Sequence, residues 1–454
     1  MAFQSINPFT NELLASFDSW DQQQVQQTLQ AVDAVNPYWQ QTPMAKRCEL
    51  MRSVASQLRQ QKSRLAGLIT LEMGKLITEA EAEIEKCAVG CEYYAEFGPQ
   101  FLQREPIATD ASSSFVCYQP IGTVLAIMPW NFPFWQVFRF AAPALIAGNT
   151  GVLKHASNVP QCALAIEQLF KDAGFPDNVF RTLMISSSQV KSVISDPAIK
   201  AVTLTGSEVA GRQVASQAGY DIKKTVLELG GSDCFVILED ADLASAVNNA
   251  VISRFINCGQ SCIAAKRFIV VEEIYQQFIS QFKTAVEKLQ IGDPSDSNTT
   301  LAPMARADLR DELHRQVLDS VAKGAKVVTG GEPADGSGTF YRPTILSDVG
   351  PGMRAYEEEL FGPVATVIRA KNESTALHIA NDSRFGLGGS VWTRDTKHGE
   401  AFALQVQSGC VFVNGFVKSD PRLPFGGVKS SGYGRELSHH GIREFVNAKT
   451  IWIG

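Results

Sequence analysis

No run of apolar residues in the 454-residue chain approaches the ~18 needed to cross a membrane, so no span is expected. No stripe of Lys and Arg stands out either. The 41 basic residues are interspersed with 47 acidic ones, for a net charge of -6. That excludes the electrostatic footprint of a nucleic-acid binder and favours small diffusible substrates. A disulfide framework is missing as well. The nine cysteines (48, 87, 91, 117, 162, 234, 258, 262 and 410) are odd in number and irregular in spacing, which points to a reducing, cytoplasmic setting. Met1-Ala2-Phe3-Gln4-Ser5 has neither the basic nor the apolar part of a secretion signal, so the acceptor-like Asn298-Thr299-Thr300 carries no weight. None of the six histidines pairs with Cys, Asp or Glu at zinc-ligand spacing, so no metal is expected.

What is present is the composition of a globular protein, 45% hydrophobic and 19% charged, long enough for two or three cores. The first hundred residues read as helices. Ser19 or Asp21 caps the first, Thr42-Pro43 opens a second, Gly74 breaks the pattern, and a third covers 79–94. Two β-prone runs, 115–118 and 123–127, flank Gln119-Pro120-Ile121-Gly122 and read as a hairpin or arm. The terminal strand around Ile451-Trp452-Ile453 needs a partner edge, in that arm or in another subunit.

From Gly151 onward strand-like runs alternate with helical ones, at 151–154, 179–185, 201–205 and 225–229. A second set begins near 234–237 and continues through 268–271, 326–328, 364–369 and 411–414. Such alternation predicts an α/β protein with two doubly wound domains in tandem, joined near Glu228-Leu229-Gly230-Gly231-Ser232. No GxGxxG occurs in the first set. Ser186-Ser187-Ser188 stands where a glycine-rich turn would fall, which argues against an ordinary dinucleotide fold.

The candidate chemistry centres on Phe255-Ile256-Asn257-Cys258-Gly259-Gln260-Ser261-Cys262. Glycine, glutamine and serine put the last thiol on a turn, where it is either a reachable nucleophile or a small buried hydrophobe. Asn131, among the aromatics and prolines of Pro129–Pro133, is a turn residue or an oxyanion donor. Arg139 lies in the nearly uncharged run 132–147, where it needs an internal ion pair or lines a pocket awaiting a carboxylate. Lys154 ends a strand, where lysine suits a ribose or phosphate unless it is merely exposed. Ser207, in Thr205-Gly206-Ser207, is a helix cap or part of an anion site. Glu228 on an apolar strand is costly without a partner or a task, and burial would tune it as a general base. Glu359 and Phe361 sit on a glycine-proline turn, able to hold a nicotinamide ribose and support its ring.

Taken in order, Pro129–Pro133, Leu204–Ser207, Glu228–Gly231, Phe255–Cys262, Glu359–Pro363 and Pro424-Phe425-Gly426-Gly427 resemble the aldehyde dehydrogenase superfamily along essentially the whole chain. The resemblance implies Cys262 as nucleophile, Glu228 as general base, and Asn131 with the Cys262 N–H as oxyanion donors. It places Trp130, Lys154, Ser207, Glu359 and Phe361 at the cofactor, which the family binds without the glycine fingerprint. It also implies a cofactor-binding domain at 1–101 and 121–230, a catalytic domain at 231–430, and an oligomerisation element at 102–120 and 431–454. The arm and the terminal strand would then pair across the subunits of a homodimer or dimer of dimers.

Arg139 and Ser419 look like the carboxylate anchors of the succinate-semialdehyde dehydrogenases, nearest to the short bacterial and cyanobacterial members, through the stretches Leu227–Asp233 and Asp308–His314. Ile256 stands where some members carry a second arginine, and Ala264 where some carry a redox-regulating cysteine. Ser157 stands where NAD-preferring members carry a glutamate. Lacking that charge, the site is expected to prefer NADP over NAD. The expected reaction is oxidation of succinate semialdehyde to succinate through a thioester. The alternatives are glutarate semialdehyde or an aliphatic aldehyde as substrate, or a catalytically silent member of the fold.

Overall fold

The computed structural model describes residues 3–454. Met1 and Ala2, at the start of the expected cofactor-binding segment, lie outside the described residues. The molecule is organised around two parallel sheets, and a third, small sheet joins the chain's end to its middle.

The first sheet has six strands in the order Gly432–Tyr433, Lys224–Glu228, Ile199–Thr205, Thr123–Met128, Thr150–His155 and Phe180–Thr182. All neighbours are parallel except the short first edge. The chain winds outward from Thr123–Met128 through the helices Trp135–Ile146 and Pro160–Asp172. It then returns to add Ile199–Thr205 on the other side. The winding direction therefore reverses beside Thr123–Met128, and the carboxyl ends of its strands open a crevice there.

The second sheet has seven strands, Lys326–Thr329, Thr344–Ser347, Val364–Ala370, Ala265–Val271, Asp233–Ile237, Gly388–Trp392 and Cys410–Val413. Only the first of these runs antiparallel to its neighbour. Both sheets carry helices on their faces, so the doubly wound α/β architecture is present twice.

Three local readings are corrected. The runs at 115–118 and 123–127 do not form a hairpin. Ser113–Pro120 pairs with Val446–Ile453 and Glu105–Pro106 in the small sheet, whereas Thr123–Met128 is central in the six-stranded one. The arm and the terminal strand thus pair within one chain, through eight residue pairs, rather than across subunits. The first hundred residues are also not all helix. Phe3–Ile6 and Leu13–Phe17 form an antiparallel pair before the helix Gln22–Gln41, which Asp21 caps.

The helix Trp135–Ile146 matters most for the site. Each of its twelve residues is buried, between the first sheet and the helices Met44–Gln60 and Ile77–Phe101. A helix apolar on all sides belongs in a core. Its two polar side chains, Gln136 and Arg139, are buried with it.

Candidate active site

The loop leading to Cys262 is held in place from several directions. Asn257, Cys258 and Gly259 take left-handed φ angles of 52°, 54° and 70° in succession. For residues with a Cβ this costs on the order of 1–2 kcal/mol each, so it persists only where the surroundings fix it. Glu79 accepts a hydrogen bond from the Asn257 N–H at 3.1 Å. The Asn257 amide donates to the carbonyls of Asn131 at 2.8 Å and Gln260 at 3.0 Å. The buried Arg254 guanidinium donates to the carbonyls of Gly259, Gly362 and Ala265. Lys266 Nζ donates to the carbonyls of Ser261 at 2.8 Å and Cys262 at 2.7 Å. At Gly259 a Cβ would overlap the Gly362 carbonyl, so glycine is required there on steric grounds too.

Cys262 emerges from this loop half-buried, just before the strand Ala265–Val271. Two cavities meet at its side chain. One, of about 270 Å³, includes Trp130, Asn131, Ser207, Glu228, Glu359 and Phe361 in its lining. The other, of about 110 Å³, includes Lys86, Trp135, Arg139, Ile256, Ser419 and Phe425. Burial pushes the Cys262 thiol up to about 12, with Arg139 and Lys266 pulling it back.

The residues around the thiol divide by cavity. Asn131 donates one amide N–H to the Gln260 carbonyl at 3.1 Å, leaving its second N–H free. The Cys262 backbone N–H has no acceptor among the described residues. Glu228 ends the strand Lys224–Glu228 and is buried, with no partner for either carboxylate oxygen among the described residues. Its side chain lies against Gly426, where an added Cβ would stand 2.7 Å from Oε1. Burial, reinforced by Glu436, holds this carboxyl well above the ordinary range, against Arg139 and Arg435.

The larger cavity has the makings of a dinucleotide site. Thr205-Gly206-Ser207 closes a strand, and Ser207 caps the helix Glu208–Tyr220 by accepting from the Ala210 N–H at 3.3 Å. Glu359 accepts from the Gly231 N–H at 3.1 Å and pairs with Lys266 at 3.0 Å. A Cβ at Gly230 would overlap its carboxylate, and one at Gly231 would stand 2.9 Å from the Cys262 carbonyl oxygen, which explains the paired glycines. The rings of Trp130 and Phe361 meet edge to face, 5.8 Å apart. Lys154, at the end of the strand Thr150–His155, has no carboxylate partner among the described residues, and burial lowers its pKa. Ser157 is exposed in a separate hollow with Glu72, Arg306 and Asp308. Glu72 is turned onto the N–H groups of Gln161 and Cys162, and Asp308 onto Arg306. A phosphate beside Ser157 would therefore not face an uncommitted carboxylate.

Arg139 lines the smaller cavity and also carries the internal ion pair that its burial requires. It forms an ion pair with buried Glu436, bonds Thr205 Oγ1 at 3.3 Å, and lies over the Phe425 ring at 4.7 Å. Ser419 is buried and accepts from Lys86 Nζ at 2.7 Å and Trp135 Nε1 at 3.0 Å. Lys86, Lys266 and Glu436 escaped sequence reading. The lone Arg139 implied a buried acid without naming Glu436. A lysine inside the long helix Ile77–Phe101 carries no mark that separates it from a surface one.

Residues 1–451 match the aldehyde dehydrogenase family, and the chain belongs to it. It is 49% identical over 453 residues to a probable succinate-semialdehyde dehydrogenase (NADP(+)) of Synechocystis sp., covering 100% of both chains. It is 48% identical over 456 residues to succinate-semialdehyde dehydrogenase (NADP(+)) 1 of Mycobacterium tuberculosis, again covering 100% of both. The crystal structure of succinic semialdehyde dehydrogenase from Streptococcus pyogenes, in complex with NADP+, superposes with a TM-score of 0.98 at 40% identity, with 100% of each chain covered.

Proposed function

We propose that the protein oxidises succinate semialdehyde to succinate with NADP as hydride acceptor. The observation that carries this reading is the position of Cys262 where two cavities meet. One offers cations and a hydroxyl suited to a carboxylated substrate, and the other offers dinucleotide-binding groups. The names of the Synechocystis and mycobacterial relatives support it.

In this reading the Cys262 thiol gives its proton to solvent water, helped by the charges of Arg139 and Lys266, and the thiolate Sγ bonds the aldehyde carbon as the carbonyl π electrons move onto oxygen. The free N–H of Asn131 and the backbone N–H of Cys262 receive that oxyanion, a donor of this kind being worth roughly 3–4 kcal/mol in the transition state. Trp130, Lys154, Ser157, Ser207, Glu359 and Phe361 would hold NADP, which would supply the hydride acceptor, and loss of hydride from the aldehyde carbon would leave the substrate as a thioester on Cys262. Glu228 then takes a proton from water, whose oxygen attacks the thioester carbon. The C–S bond breaks, and the acid leaves. Burial that raises the pKa of Glu228 also makes its ionised form a stronger base than an ordinary carboxylate.

The domain roles follow the same reading, with cofactor at 1–101 and 121–230, catalysis at 231–430, and assembly through 102–120 and 431–454. The outer edge of Val446–Ile453, opposite Ser113–Pro120, is unpaired among the described residues and suits a second copy. Nine free cysteines suit a reducing cytoplasm. The assay for the function is NADPH formation from succinate semialdehyde, with succinate identified as product. NADPH-silent protein under reducing conditions would contradict it.

A further inference from the structure

Lys266 is the second residue of the strand Ala265–Val271, just past Cys262, and its side chain is 1% exposed. Taking an ammonium out of water is costly unless its donors are met. Here all three are met. Nζ pairs with Glu359 Oε1 at 3.0 Å and donates to the carbonyls of Ser261 at 2.8 Å and Cys262 at 2.7 Å. A plain ion pair with Glu359 would need neither carbonyl, yet the ammonium grips the backbone on both sides of the nucleophile.

The Ser261 carbonyl belongs to the same peptide unit as the Cys262 N–H. A trans peptide is planar, with its C=O and N–H on opposite edges. Fixing the carbonyl on Lys266 therefore turns the Cys262 N–H away from Lys266. The Ala264 N–H also donates to the Ser261 carbonyl, at 3.2 Å, so both lone pairs of that oxygen are engaged. The Cys262 N–H has no acceptor among the described residues. A hydrogen bond from a cation to one end of a peptide polarises the unit and strengthens the donor at its other end.

We propose that Lys266 is a positioning residue for oxyanion stabilisation: its ammonium orients and polarises the Ser261–Cys262 peptide, so that the Cys262 N–H is aimed and strengthened as a donor. The proposal rests on the reading of Cys262 as nucleophile above, and not on the choice of aldehyde or nucleotide. Glu359 supplies the counter-charge that keeps the ammonium in place, and the bond to the Cys262 carbonyl holds the following peptide. Lys266 has a second effect. Burial disfavours the Cys262 thiolate, and the charges of Arg139 and Lys266 offset this. The two effects separate by reaction, because capture of a thiolate on a saturated carbon forms no oxyanion, whereas attack on an acyl carbon does.

The test uses two probes at one pH, without nucleotide. With iodoacetamide, the Cys262 thiolate displaces iodide in one step, followed by mass spectrometry of the Cys262 peptide. With p-nitrophenyl acetate, Sγ bonds the acyl carbon and the carbonyl π electrons move onto oxygen. They return as p-nitrophenolate leaves with the electron pair of its C–O bond. Its kcat/KM for p-nitrophenolate release, corrected with Cys262→Ala, reports that acylation. The ratio of acylation to alkylation cancels any change in thiolate fraction. Asn131→Ala removes the other donor and should lower the ratio at least about tenfold. Lys266→Met should lower it at least about tenfold as well, and Lys266→Arg, which keeps the charge, should recover most of that loss. Lys266→Gln, with N–H donors but no charge, should lower it at least about threefold, and decides the matter should Lys266→Met not fold. A ratio that falls in Asn131→Ala but not in the neutral Lys266 variants would overturn the proposal alone. Equal losses in both reactions are such a result, and would make Lys266 a structural tie. A ratio unmoved by Asn131→Ala would overturn the oxyanion reading of the site and the proposal with it.

Discussion

The thiol of Cys262 begins at a disadvantage, because burial keeps it protonated and an unionised thiol is a poor nucleophile. Its neighbours offset this: Arg139 and Lys266 favour the thiolate, two donors receive the oxyanion, and buried Glu228 is kept for the water step. If Glu228 serves the water step, Glu228→Gln should lose turnover yet become acylated on Cys262. Mass spectrometry of the intact protein after mixing with succinate semialdehyde and NADP should show the adduct. Unmodified protein with lost turnover would contradict that role. Ser157 is a second residue whose effect is separable. Ser157→Glu should lower the NADP/NAD ratio of kcat/KM at least about tenfold, equivalent to ~1.4 kcal/mol, by placing a carboxylate against a 2′-phosphate. An unchanged ratio would remove Ser157 from cofactor choice. At this scale the sequence marked residues by their oddity. An asparagine among aromatics and a glutamate on an apolar strand are costly where they stand, and the structure brings both to one cavity with Cys262. Lys86 had no such oddity, since its cavity exists only after distant elements have packed.

Elements fix the geometry that those residues use. The loop 255–262 runs against local preference through three left-handed residues, and tertiary contacts hold it there. Gly259→Ala adds a Cβ where the Gly362 carbonyl lies and strains a φ of 70°. It should destabilise the protein by roughly 2 kcal/mol or more and cut turnover through a displaced Cys262. Urea unfolding together with activity measures both, and wild-type values in each would contradict the account of the loop. Most parallel strands were legible because buried strands read as short apolar runs. The hairpin was misread because Pro120-Ile121-Gly122 resembles a turn between two β-prone runs. The better signal was that Thr123–Met128 does not alternate. Five of its six residues are buried and none is exposed, as in a strand covered on both faces. The strand Gly388–Trp392 escaped notice because its two glycines weaken any β-prone pattern.

At the scale of the whole molecule, the end of the chain returns to serve its middle. Glu436 reaches Arg139, Gly426 makes room for Glu228, and Val446–Ile453 completes a sheet with Ser113–Pro120. None of these pairings could be read from local pattern, because each joins segments far apart in sequence. The terminal strand keeps one edge open and leaves Trp452 56% and Ile453 48% exposed, more than a closed monomer needs. Light scattering at micromolar concentration should therefore give a dimer or a dimer of dimers. A monomer would contradict assembly through that edge.

The central claim concerns which aldehyde and which cofactor meet at Cys262. The most direct measurement is kcat/KM for succinate semialdehyde, glutarate semialdehyde and butanal, each with NADP and with NAD. Succinate semialdehyde with NADP should stand highest, at least about tenfold above each single change of substrate or cofactor. A higher value for butanal, for glutarate semialdehyde or with NAD would contradict it.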